Sequence, residues 1–123
     1  IHFCEPSFEV EDGYEKACKL LQSNQSLPTA FFAANDKLAL GIIKACRELD
    51  YKVPGDISIA GFDNIELANY TTPSLTTVNV FKRELGFEAG NRLLQLIKGV
   101  ASQPVKIVVS TELVVRGSTG APD

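Results

Sequence analysis

The chain has 123 residues, 45% hydrophobic and 22% charged, with a formal net charge of −3. This fits one small soluble domain, or a piece of a larger one, with enough apolar sequence for a core. The acidic balance leaves no electrostatic case for nucleic-acid or anionic-membrane binding by this stretch, and no apolar run approaches the roughly 20 residues that cross a bilayer.

His2-Phe3-Cys4 reads as a short strand, followed by a polar loop that carries Phe8. A helix is expected from Asp12, a plausible N-cap, with Tyr14, Ala17, Cys18 and Leu21 on one face. Asn24 to Pro28 ends it. Thr29–Ala34 is an apolar strand, and a second helix runs from about Asp36 to Asp50 with Leu38, Ala39, Ile42, Ile43, Cys46 and Leu49 as its stripe. Val53-Pro54-Gly55-Asp56 is a turn. Ile57–Phe62 is the next strand, Asn64–Tyr70 a short helix, and Thr76–Phe81 a weakly alternating strand. A third helix starts near Lys82 or Arg83, buries Leu85, Ala89, Leu93, Leu96 and Ile97, and stops at Gly99. Val105–Val115 is a β-branched strand bent at Ser110-Thr111. The tail from Gly117 to Asp123 is expected to be mobile. The alternation of strands and helices indicates an α/β fold with a parallel sheet.

Cys4, Cys18 and Cys46 have no C-x-x-C spacing and read as small buried hydrophobes, compatible with a reducing cytosol. The chain opens on Ile1, contains no Met and shows no signal-peptide pattern, so a processed or truncated product is expected.

Two apolar runs each end in an amide–acid pair: Thr29–Ala34 before Asn35-Asp36, and Ile57–Phe62 before Asp63-Asn64. Such runs read as strands buried on both faces of a parallel sheet. Ligands of open α/β sheets bind beyond the carboxyl ends of the strands. Carboxylates and amides delivered there suit hydroxyl groups, because the first accept and the second both donate and accept. A binding site for a small polyhydroxylated molecule is therefore expected.

Several strings together resemble the lactose-repressor/galactose-repressor family of transcription regulators. They are Pro28-Thr29-Ala30-Phe31 with Asn35-Asp36-x-x-Ala39-x-Gly41, and Val53-Pro54-x-Asp56-Ile57-Ser58-Ile59-x-Gly61-Phe62-Asp63-Asn64. Pro73-x-Leu75-Thr76-Thr77-Val78, Leu85-Gly86-x-x-Ala89 and Arg116-Gly117-Ser118-Thr119 complete the set, in family order and spacing. The resemblance implies a type I periplasmic-binding-protein-like fold, with two Rossmann-like lobes enclosing the ligand, of which this chain is a C-terminal fragment. Residues 1–78 would form most of the C-terminal lobe. Residues 79–106 would cross into the N-terminal lobe, and 107–123 would return. Phe8 matches the family's ring-stacking aromatic, Asn35 its hydroxyl-binding amide, and Asp63 its carboxylate after the Gly-Phe-Asp strand. Val80 stands where several members carry a glutamine facing the cleft, which leaves this edge less polar.

The resemblance further implies a cytoplasmic homodimer that senses a sugar or related polyol and binds operator DNA through an N-terminal helix-turn-helix absent here. The second helix is apolar around much of its girth, so Leu40, with Tyr70 nearby, is expected at the dimer interface. On spacing alone, Asn35 is a helix N-cap, Asp63 a turn residue, and Phe8 as readily a core plug; the resemblance moves all three to ligand binding. The single histidine, His2, cannot build a triad, and no phosphate-binding glycine string is present. No enzyme activity, cofactor or metal is expected. A soluble sugar-binding protein of a transport system is the alternative reading.

Overall fold

The computed structural model describes residues 8–23, 27–100 and 102–121, and the chain divides into two units, Ile1–Asn79 with Leu113–Asp123, and Val80–Glu112. The strand expected at His2-Phe3-Cys4 lies outside the described residues.

The first unit carries helices α1 (Val10–Leu21) and α2 (Asp36–Glu48) and strands β1 (Ala30–Phe32), β2 (Ser58–Asp63) and β3 (Thr76–Asn79). β1, β2 and β3 run parallel, with Phe31 opposite Ile59, Gly61 opposite Thr77, and Asp63 opposite Asn79. With β4 (Glu112–Val114) the sheet has the order β1-β2-β3-β4. The expected α/β class is what forms, with β1, β2 and β3 parallel. Ile57, Ile59, Leu75 and Cys46 are fully buried at its centre, and each large aliphatic side chain buried this way contributes about 1.5–3 kcal/mol.

Local chemistry moves several boundaries. α1 begins before Asp12 because Glu9 is the N-cap. Asp12 sits in the first turn, and its carboxylate accepts from the Glu9 backbone N–H at 3.3 Å. A terminal N–H is thus satisfied by a side chain three residues on. The segment from Asn64 to Tyr70 tightens to a 3₁₀ turn over Glu66–Asn69. β3 ends at Asn79, short of Phe81.

α2 packs against both β2 and α1. The contact with α1 is made through glycines: a Cβ on Gly41 would collide with the Val10 carbonyl oxygen, and one on Gly13 with the Leu38 carbonyl oxygen. The helix backbones therefore touch. Leu40, expected on a face left for a partner, is only 9% exposed and lies in the chain's own core. The broad apolar girth of α2 is accounted for by its two neighbours within the chain, so it does not by itself require a third. On the outer rim of the helix pair, the Tyr14 hydroxyl donates to Glu48 at 2.6 Å and the Lys44 ammonium lies 4.2 Å from the Tyr14 ring centroid. The Glu48 hydrogen bond holds the Tyr14 phenol above its ordinary range. Cys18 and Cys46 are free thiols, and burial, with Cys18 adding to it, pushes the Cys46 thiol up to about 11.

Within the described residues, the tail contradicts the expectation of mobility over residues 117–120. Ser118 is fully buried. Its hydroxyl donates to the Ile59 carbonyl at 2.6 Å and accepts from the Thr76 N–H at 2.8 Å, while its carbonyl accepts from the Ile59 N–H at 2.8 Å. Thr119 and Thr76 share a hydroxyl contact at 2.9 Å, and the Gly120 N–H donates to Ser58 Oγ at 3.1 Å. The short polar tail is held because it satisfies buried backbone groups of β2 and β3.

The second unit holds α3 (Lys82–Ile97), which ends as expected, with Gly99 at a φ of +67°. Two expectations fail here. No residue of α3 is buried, and its apolar face is open: Leu93 is 58% exposed and Ile97 73%. Of the strand expected over Val105–Val115, only Glu112–Val114 joins the sheet. Val105, Ile107 and Val108 are exposed. β-branched composition makes a strand only where a neighbour supplies the ladder, and the described residues supply none there.

The glycine contact between the helices gives a direct test. Gly41→Ala forces backbone apart from backbone, and such overpacking costs about 1–3 kcal/mol. Urea denaturation should show a lower midpoint with an unchanged slope. An unchanged midpoint would mean that the helices separate at no cost.

Candidate functional site

The carboxyl ends of β1, β2 and β3 form one rim of the sheet in the first unit. Beyond β1 the ladder continues through the Ala33 N–H, which donates to the Ala60 carbonyl at 2.8 Å. The chain then turns into α2 at Asn35. Asn35 has extended backbone, and its side-chain oxygen accepts from the Leu38 N–H at 2.8 Å. The N-cap that spacing favours is therefore formed. The same amide donates from Nδ2 to the Phe8 carbonyl at 3.0 Å. This brings Phe8, just ahead of α1, to the N-terminus of α2. Phe8 is 51% exposed. An ion pair between Lys37 and Glu9, 2.9 Å apart, lies beside this junction, though exposed pairs of this kind contribute little.

Beneath Asn35 lies Asp36, fully buried. Its Oδ1 accepts from the Thr77 hydroxyl of β3, and its Oδ2 accepts from the Ile65 N–H at 2.8 Å. Gly61 of β2 makes room for it, since a Cβ there would collide with Asp36 Oδ1. A buried carboxylate without partners would be costly; this one is satisfied by donors from two further segments. It joins the start of α2, the loop after β2, and β3.

Asp63 ends β2 with a φ of +110°, and Asn64 follows at +50°. Residues other than glycine are uncommon there, and strained positions cluster at ligand sites. The loop is tied down from several directions. The Asn64 N–H donates to Thr77 Oγ1 at 3.3 Å and its Nδ2 to Asn79 Oδ1 at 3.1 Å. Its Oδ1 accepts from Arg116 Nη2 at 2.8 Å. Arg116 also donates from Nη1 to the Leu75 carbonyl at 2.7 Å and from its backbone N–H to Thr76 Oγ1 at 2.8 Å.

The structure thus joins Phe8 to Asn35 directly, and Asp63 to the same strand-end rim through the sheet. Asp36, Asn64, Thr77, Asn79 and Arg116 support them, and sequence pattern alone does not assign them that role. The only local signals are a glycine inside the second apolar run and hydroxyls at Thr76 and Thr77. Tyr70, after the 3₁₀ turn, is 74% exposed, whereas Leu40 is buried. Among the described residues, no group of three or more His, Cys, Asp or Glu side chains could hold a metal ion. No helix among them is long and apolar enough to cross a membrane.

The sequence profile of the periplasmic binding protein-like domain matches residues 2–119. The HTH-type transcriptional repressor PurR of Histophilus somni is 44% identical over 111 residues, which cover 90% of this chain and 33% of that protein. The repressor of the same name from Haemophilus influenzae is 43% identical over 118 residues, covering 93% of this chain and 34% of the other. The chain therefore spans about a third of the length of these relatives. Among solved structures, the lac repressor dimer bound to operator and the anti-inducer ONPF superposes with a TM-score of 0.85 at 34% identity, covering 92% of this chain and 39% of that one. A LacI-family regulator from Enterococcus faecium with bound ribose gives 0.81 at 33% identity, covering 91% and 41%.

The support beneath the rim is testable through Asp36. Asp36→Asn keeps the shape but replaces one acceptor with a donor. Either Thr77 or Ile65 then faces a donor, and an unsatisfied buried group costs about 1–3 kcal/mol. Equilibrium denaturation should show a loss of that size. Wild-type stability would show that the carboxylate is not the joint between these elements.

Proposed function

The chain belongs to the periplasmic binding protein-like domain family, in its lactose-repressor/galactose-repressor branch, and from that premise we propose that it is part of the effector-sensing domain of a DNA-binding transcription regulator. One observation carries the reading at the level of the site: the Asn35 side chain donates to the Phe8 backbone carbonyl at 3.0 Å, which ties a half-exposed aromatic residue to an amide at the carboxyl rim of parallel strands. In this reading the Phe8 ring stacks on the apolar face of a sugar or related polyol. The Asn35 amide meets one hydroxyl, using the hydrogen-bonding capacity left after its cap and its bond to Phe8. The Asp63 carboxylate accepts from one or two others. These are binding interactions, and no bond of the ligand is made or broken.

The remainder of a protein about three times as long would complete the site. It would also cover the open faces of α3 and of Val105, Ile107 and Val108, with residues 79–106 crossing to an opposing lobe and 107–123 returning. Effector captured between two lobes favours one arrangement over the other by its differential affinity. That shift would reposition a helix-turn-helix, N-terminal to this chain, on operator DNA. The names of the relatives support a regulator over a transport-system binding protein, and with it a cytoplasmic setting. A homodimer fits the same family. Tyr70, highly exposed, would meet the partner directly, whereas Leu40 lies in the chain's own core.

Titrating the full-length protein against a panel of pentoses and hexoses, ribose included, identifies the effector. Asp63→Ala should then weaken it by about 1.5–3 kcal/mol for each charge-assisted bond lost, roughly ten- to a hundredfold. Unchanged affinity with an unchanged circular dichroism spectrum removes Asp63 from the site.

Assembly is read separately. Tyr70→Asp, repeated on both subunits of a two-fold contact, should convert the full-length dimer to monomers in sedimentation velocity at micromolar concentration. A persistent dimer places the interface elsewhere.

A further inference from the structure

Resting on the reading of Asp63 as an effector ligand, we propose that Asn64 and Arg116 are positioning residues that hold the Asp63 backbone in its left-handed conformation before any effector arrives. Asp63 and Asn64 have consecutive φ values of +110° and +50°. Neither is a glycine, so the surroundings must impose the conformation. Asn64 is where the imposition converges. Its backbone N–H is held by Thr77, and its side chain bridges Asn79 at 3.1 Å and Arg116 at 2.8 Å. Arg116 is itself fixed by the Leu75 carbonyl at 2.7 Å and by Thr76 Oγ1 at 2.8 Å. One residue further on, the Ile65 N–H is held by buried Asp36. The guanidinium fork is what allows Arg116 to reach the Leu75 carbonyl and the Asn64 amide together; a lysine ammonium, a single point donor, lacks that geometry.

The consequence is preorganisation. A loop already fixed in its binding conformation loses less conformational entropy when a ligand docks. Without the bridge, the residue ending β2 is free to relax to the extended conformation its neighbours in the strand adopt. Arg116 is then tied to effector affinity without touching the effector.

The test reads the backbone itself and needs no effector. In the isotope-labelled 123-residue chain, the three-bond amide-to-α-proton coupling of Asp63 should be small, as its φ of +110° requires. In Arg116→Met and in Asn64→Gly it should rise toward the large value of an extended strand. Exchange of the Ile65 amide should accelerate by about tenfold or more, equivalent to about 1.4 kcal/mol. Glycine tolerates a positive φ at position 64 but carries no side chain, so Asn64→Gly separates the bridge from the local backbone preference. If the Asp63 coupling stays small in both variants, the proposal is overturned. Should either variant unfold, Arg116→Lys keeps the charge but cannot reach the Leu75 carbonyl and the Asn64 amide together, and it gives the same readout. A raised coupling there supports the bridge, and a small one overturns it. This outcome is separate from that of the Asp63→Ala titration. A moved coupling with unchanged effector affinity in Asp63→Ala would leave the positioning role standing and refute the binding role of Asp63.

Discussion

A single buried carboxylate holds the working end of this unit together. Asp36 belongs to the first turn of α2, yet its two oxygens are taken by β3, through Thr77, and by the loop after β2, through Ile65. A low-dielectric setting raises both the strength of such hydrogen bonds and the cost of losing them. The polar ends of the strands can therefore sit close together without collapsing onto one another. Gly61 stands in the middle of a buried strand for the same reason: it is the gap the carboxylate occupies.

Around that joint, polar side chains take a part usually left to backbone ladders. Ser118 closes two buried backbone groups of β2 and β3. Arg116 and Asn64 tie the returning segment to the loop that follows β2. The rim is thus built as a rigid frame, while the groups facing outward, Phe8 among them, stay partly open. Sites precise enough to discriminate ligands need such a frame behind the contacting atoms.

The second unit follows the opposite logic. α3 carries an apolar face and no buried residue. Most helical stability in proteins comes from packing an amphipathic face rather than from propensity. α3 and the β-branched segment after it therefore present surface in search of cover, consistent with a chain that spans about a third of its relatives.

Hydrophobic periodicity and turn chemistry determined the element order, the parallel α/β class, the Asn35 cap and the stop at Gly99, because those features depend on neighbours within a turn or two of the chain. The same local rules placed two polar pairs at strand ends. They could not show that the pairs divide their labour, with Asn35 and Asp63 at the rim, Asp36 buried beneath it, and Asn64 bridging to residues far along the chain. Nor could they tell an inward face from an open one. Leu40 is covered because α1 and β2 pack on α2, whereas Leu93 and Ile97 are exposed on α3, no described residue of which is buried. The tail has few apolar residues to anchor it, yet Ser118 is held by backbone groups of strands some forty to sixty residues earlier in the chain. What a side chain is buried against is a property of contacts between distant segments, and only the tertiary structure decides it.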